Sequence, residues 1–185
     1  MIALSSLWLP ILLSAVFVFI TSSILHMVIQ MHSKDYSVLP GEEAVRDALR
    51  AQNISPGMYT FPHCKSMKEM GSDEFVEKMN QGPNGFMTII PTGPMAMGRT
   101  LVLWFAFSIL ISVVVGYVST MTVESGATFK EVFRIAGTVA LLGYAIPKID
   151  DSIWKAARWS VTIRFVFDGI LYSLVTAATF AWLWP

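Results

Sequence analysis

Only a few residues in this chain combine a reactive side chain with an unusual setting, and Asp168 is first among them. It sits about two turns inside an apolar run near the C-terminal end, in the sequence SVTIRFVFDGILYSLVTAATFAWLWP. A carboxylate at that depth is costly and is by default a candidate for function. Arg164 lies four residues earlier on the same helical face, so an in-helix ion pair that merely neutralises the acid is the structural alternative. His26, in the first apolar run, sits at a depth similar to that of Asp168 when both are counted from the same membrane face at 1.5 Å per residue. A His26–Asp168 contact is therefore allowed if the two runs are neighbours. Such a pair could relay a proton, because histidine titrates near neutrality. A buried histidine bonded to a serine, a backbone group or Tyr172 is the plainer reading.

The other chemistry-bearing residues are weaker. Met58, His63, Cys64, Met67, Met70, Met79 and Met87 fall in one loop, and thioether, thiolate and imidazole suit Cu(I). Their spacing matches no strict motif, and methionine is also a common gap-filler, so no metal is assigned. Cys64 is the only cysteine, which excludes an internal disulfide and any CxxC site. No P-loop, GxGxxG, GxSxG or HExxH is present, and a single intramembrane histidine disfavours a bis-histidine haem. The residues thus assign no catalytic group and no cofactor.

The elements that carry these residues are membrane spans. The chain is 54% hydrophobic and 14% charged, with a mean hydropathy of +0.58, against roughly 25% charged residues in ordinary soluble domains. Net charge is zero, so a nucleic-acid partner is not indicated. A bilayer core of about 30 Å needs roughly 20 apolar helical residues. Four stretches meet that need: about 7–31, 100–123, 132–149 and 160–184. The first lacks the basic start and short apolar core of a cleaved signal. The third carries Arg134 and Lys148 near its ends, where both can snorkel, and Pro147 in its last turn. Trp154, Trp159, Trp182 and Trp184 mark the borders of the fourth. The fold class is an all-α bundle of four transmembrane helices, with the bilayer as one partner.

Residues 32–99 form a loop between the first two spans. Gly41–Asn53 and Ser72–Gln81 read as amphipathic helices, and 58–61 and 85–90 as extended segments that could pair as a hairpin. This loop and the turn before the fourth span hold Lys34, Arg46, Arg50, Lys65, Lys68, Lys78, Arg99, Lys148, Lys155, Arg158 and Arg164, whereas the opposite side has Lys130 and Arg134. The positive-inside rule then puts the loop in the cytoplasm and both termini outside.

Small residues recur every fourth position in two spans: Ser108, Ser112, Gly116 and Thr120, and Gly169, Ser173, Ala177 and Ala181. Such seams let helix backbones approach closely, within the bundle or against another subunit. Val175 and Phe180 read as lying off the second seam. Stretches 26–50, 56–62 and 168–185, about a quarter of the chain, resemble small bacterial multi-pass membrane proteins of no known activity. That resemblance implies a bacterial inner membrane, in which the outside termini expected from the Lys and Arg distribution would be periplasmic. The function expected from these features is that of a non-enzymatic accessory, assembly or scaffold subunit with a membrane-protein partner. The alternative is a small homo-oligomeric proton or ion transporter using Asp168 and His26.

Overall fold

The computed structural model describes residues 2–185 and divides into two compact units: the chain up to Tyr36 together with Ala96–Pro185, and the insert Ser37–Met95.

The first unit is helical. A 3-10 turn (Leu4–Leu7) leads into α1 (Trp8–Ser23), which ends in a π turn (Ile24–Val28). Helix α5 spans Met97–Thr122, α6 spans Phe129–Tyr144, α7 spans Ile149–Trp154 and α8 spans Trp159–Trp182. Among the described residues, four helical stretches are long and apolar enough to cross a membrane: Leu4–Val28, Met97–Thr122, Phe129–Trp154 and Trp159–Trp182.

Their boundaries have local causes. Helix α6 starts on a capping box, with the Thr128 hydroxyl accepting from the Glu131 N–H and the Glu131 carboxylate accepting from the Thr128 N–H. Its regular turns stop at Tyr144, three residues before Pro147, which sits in a 3-10 turn (Ile146–Lys148). The third stretch is thus longer than residues 132–149, and Pro147 interrupts it where the sequence suggested a last turn, because proline can neither donate to the ladder nor sit against the preceding carbonyl. Helix α7 ends with Ala156 at φ 54° and the Ala157 N–H bonded to the Asp151 carbonyl at 3.1 Å, a left-handed cap of the kind usually occupied by glycine.

Small residues let these helices pack closely. A Cβ added at Gly169 would stand 2.6 Å from the Tyr144 carbonyl oxygen and from the Ala145 Cα, and one added at Gly137 would meet the Ala177 Cβ at 3.2 Å. Gly169, Ser173, Ala177 and Ala181 are all buried, and the contacts at Gly169 and Ala177 show that this seam faces α6. The α5 seam faces inward too. Ser14 of α1 donates to the Ser112 hydroxyl at 2.8 Å, and a Cβ at Gly116 would approach Leu4, Ile11 and Phe180. Ser108 is fully buried, but Ser119 replaces Thr120 on the buried face. A strict four-residue row drifts around a helix of 3.6 residues per turn. The same geometry corrects the reading of Phe180: it is fully buried in the core beside Leu7, Val115 and Val132.

The insert contains α2 (Glu42–Ala51), β1 (Gly57–Phe61), α3 (Met67–Met70), α4 (Asp73–Gln81) and β2 (Gly85–Ile89). The two strands pair antiparallel, Gly57 opposite Ile89 and Phe61 opposite Gly85. They are joined through α3 and α4, so the sheet is closed by a helical connection and not by a tight turn. Ser66 and Ser72 cap α3 and α4 by accepting from Glu69 N–H and Phe75 N–H. No residue of the insert is buried.

Candidate functional site: a buried histidine–carboxylate centre

The centre is built where α1 ends. The π turn at Ile24–Val28, closed by the Ile29 N–H on the Ile24 carbonyl at 2.9 Å, carries His26. A π turn shifts the following side chains around the helix axis and often marks functional positions. Gln30, at φ 55°, then reverses the chain. Two tight turns follow, Ser33 N–H to the Gln30 carbonyl at 3.0 Å and Asp35 N–H to the His32 carbonyl at 3.1 Å. The chain therefore folds back under its own helix, and the His32 ring stacks on the His26 ring with centroids 4.6 Å apart. Phe165 covers the His32 ring at 4.4 Å between centroids.

Helix α8 supplies the other half. Asp168 is 2% exposed. Its Oδ2 lies 2.8 Å from His32 Nε2 and 3.4 Å from His26 Nε2. The second ring nitrogen of His32, Nδ1, meets Asp35 Oδ2 at 2.5 Å. Arg164 donates to the other oxygen of Asp35. One continuous chain of polar contacts thus runs His26–Asp168–His32–Asp35–Arg164, tying the segment after α1 to the first turns of α8. Both carboxylate side chains are almost fully buried, whereas the His26 side chain is 37% exposed.

This arrangement corrects one reading. Arg164 does not pair with Asp168 along the helix, although four-residue spacing would permit it; it pairs with Asp35. That leaves Asp168 to the two histidines, and brings together the His26 and Asp168 of the sequence reading. Among the described residues, His26 makes no hydrogen bond to a serine, a backbone group or Tyr172, and its close polar neighbour is Asp168. The residues that sequence reasoning missed are His32 and Asp35. They fall just past the predicted end of the first span, in what the sequence presents as loop. The available signal was the spacing His26-x5-His32-x2-Asp35 at a span border, two imidazoles and a carboxylate within ten residues.

Asp35 and Asp168 are both buried; Arg164 and His32 meet Asp35, and His32 also meets Asp168. In addition, Asp168 Oδ1 is buried with no hydrogen-bond partner. Buried polar atoms are almost always satisfied, so an orphaned carboxylate oxygen asks for an explanation.

The remaining candidates are dispersed. Ser108, Ser112, Gly116, Gly169, Ser173 and Ala177 serve helix packing, as described above. His63 is exposed, and the Cys64 thiol donates to the Ser66 carbonyl at 2.8 Å. Among the described residues, the one close grouping of three His, Cys, Asp or Glu ligands is His26, His32 and Asp168, not a set in the methionine-rich loop. A cavity of about 700 Å³ lies at the α5–α6 connection and is lined by Thr122, Glu124, Glu131 and Arg134 among others.

Fold and site together define a helical protein with four membrane-length apolar helices and a buried histidine–carboxylate centre. Comparison with protein-family models, with curated proteins and with solved structures finds no match to this chain.

Proposed function

We propose that this chain is a non-enzymatic membrane subunit, an accessory or assembly component that uses the insert Ser37–Met95 to dock a protein partner. The observation that carries the reading is the insert's lack of any core. None of its residues is buried, yet it presents Val38 at 86% exposure, Met58 at 78%, Met67 at 81% and Phe86 at 60%. On the sheet, the pairs Met58–Thr88 and Thr60–Phe86 alternate with those that carry Tyr59 and Phe61, so Met58 and Phe86 share one face. Large apolar side chains exposed in this number, two of them on one sheet face, support an interaction surface. The polar centre supports the same reading, because Asp35 and His32 pin the last residues before the chain leaves the bundle.

The setting proposed is a bacterial inner membrane, with the insert in the cytoplasm and the termini outside. The eleven-to-two distribution of Lys and Arg supports that orientation. The native Cys64 reports on it: an impermeant thiol reagent should spare Cys64 in intact cells and label it once the membrane is opened. For the docking role, tagged full-length protein extracted in mild detergent should carry a stoichiometric partner. Met58→Ser combined with Phe86→Ser should release that partner while leaving the helical signal unchanged. A wild-type chain that purifies alone at every extraction condition contradicts the reading.

A second reading, a homo-oligomeric ion carrier, is favoured by one observation, the 3.4 Å approach of His26 to Asp168. It calls for reconstituted vesicles in which the purified chain alone moves protons or cations, an activity a docking subunit does not need.

A further inference from the structure

We propose that His26, His32 and Asp168 form a binding site for a divalent first-row transition ion, and that Zn²⁺ is the ion best matched to it. This goes beyond the docking role and does not depend on it. Imidazole nitrogen and carboxylate oxygen are the donors such ions prefer, whereas Mg²⁺ and Ca²⁺ select oxygen alone. Two histidines with one carboxylate, and room for a water as fourth ligand, is a recurrent zinc set.

The donor spacing is close to that of a loaded site, and the stacked His26 and His32 rings would have to turn apart for both Nε2 atoms to face one ion. One donor atom from each of the three residues lies within 4.8 Å of the others. An ion held tetrahedrally at about 2.0–2.1 Å from each donor spaces the donors roughly 3.4 Å apart. The His26 Nε2 to Asp168 Oδ2 distance is 3.4 Å. The His32 Nε2 to Asp168 Oδ2 distance is 2.8 Å, the length of a hydrogen bond. It must open by a few tenths of an ångström when an ion takes the place of the shared proton.

Three further observations point the same way. Asp168 Oδ1 is buried and unpartnered, so the carboxylate has spare donor capacity inside the centre. His32 Nδ1 is held by Asp35 at 2.5 Å, which fixes the ring and leaves Nε2 to the ion. A carboxylate behind a metal-bound histidine is the usual orienting partner, and Arg164 in turn holds Asp35. Finally, two buried carboxylates converge on His32, so an ion at His32 Nε2 would take over the positive charge of the proton it displaces. His26, 37% exposed, is the ligand through which an ion would enter.

The test uses the full chain in detergent, stripped with a chelator and titrated with Zn²⁺ by calorimetry, and separately with Co²⁺ by visible absorption. The expected result is saturation at one ion per chain, a tetrahedral Co²⁺ spectrum displaced by Zn²⁺, and no competition from Mg²⁺. Asp35→Asn should weaken binding about 10–100-fold, as loss of an orienting partner does. His26→Ala removes a ligand and should weaken it by more than that range. This change leaves the His32–Asp168 and Asp35–Arg164 contacts in place, and the helical signal checks that the variant is folded. His63→Ala with Cys64→Ser should bind as the wild type does. If the folded wild type takes up no Zn²⁺ in large excess, the proposal fails. It also fails if binding survives His26→Ala undiminished, or if it disappears in the His63/Cys64 double variant. Should His26→Ala not fold, the wild type still decides: Zn²⁺ must raise its melting temperature in a concentration-dependent way, and a flat response overturns the site.

Discussion

The bundle and the insert of this chain are built on opposite principles. In the bundle, glycine, alanine and serine bring helices to backbone contact, and even the ionisable groups His32, Asp35 and Asp168 are drawn inside. In the insert, secondary structure is locally well specified by caps, ion pairs and a strand pair, but no side chain is buried. Local signals are enough to form elements, but only packing gives them a deep free-energy well. The bundle has that packing in itself. The insert lacks it, and the proposed partner would supply it.

The largest effect that could break this contrast is expected at Gly169. A side chain there would collide with the backbone of Tyr144 and Ala145, which cannot yield as a flexible side chain does. Gly169→Leu should abolish folding or cost at least about 3 kcal/mol, at the severe end of overpacking. Val175→Leu, at a half-buried position of the same helix, should cost under about 1.5 kcal/mol. Thermal or denaturant stability in detergent measures both, and equal tolerance would remove the close-packed seam.

The next expectation compares the two units directly. Amides of β1 and β2 should exchange with deuterium at least about 100-fold faster than those in the middle of α5 and α8, since opening an element with no core costs little. Mass-spectrometric exchange of the isolated chain tests this. Protection of the strands equal to that of α8 would mean that the insert is stable on its own. Protection that rises only when a partner is added would sharpen the contrast.

A smaller effect, of opposite sign, is expected at the α7 cap. Ala156 occupies a left-handed conformation that costs an L-residue roughly 1 kcal/mol and glycine almost nothing. Ala156→Gly should therefore stabilise the bundle by up to about 1 kcal/mol. A lower melting temperature would show that the cap is not limiting.

The smallest effect is on α2, at the surface of the insert. Hydrogen bonding from Arg50, with the charge of Arg46 beside it, holds the Glu43 carboxyl below its ordinary value. A depressed acid contributes stability that is present above its unfolded pKa, about 4.3, and is lost as pH falls through the folded value. Helix α2 should thus loosen only in acid below that range. Carbon-detected titration of Glu43 would read this directly. A midpoint at or above the ordinary value would show that these exposed contacts contribute nothing.

Much of the bundle was legible in the sequence because each span needs only length, apolarity and a stop signal. The small-residue seams were legible for the same reason, as a period of four along a helix. Phe180 was not, because the wide buried face of α8 is set by three neighbouring helices and cannot be derived from α8 alone. The break at Pro147 is visible as a proline, but the sequence does not show that the regular turns already stop at Tyr144. The site was half legible. Asp168 and His26 stand out because an ionisable group in an apolar run is conspicuous. His32 and Asp35 do not stand out, since nothing in a loop sequence says that the chain folds back at Gln30. The Arg164–Asp168 spacing misled for a related reason. Residues four apart can touch, but a buried acid arriving from another segment competes for the same guanidinium.

The central claim is that the segment after α1 is bound to α8 through Asp35 and the histidine–carboxylate centre, and the partner of Arg164 tests it most directly. The measurement is a double-mutant cycle on stability in detergent with Arg164→Gln, Asp35→Asn and Asp168→Asn. Removing one member of a buried pair costs more than removing both, because it leaves an uncompensated charge. The account predicts that Arg164→Gln with Asp35→Asn is more stable than Arg164→Gln alone, with a coupling of about 1–3 kcal/mol. It predicts no such rescue by Asp168→Asn. Rescue of Arg164→Gln by Asp168→Asn, with none by Asp35→Asn, would contradict it and return Arg164 and Asp168 to a simple pair along one helix.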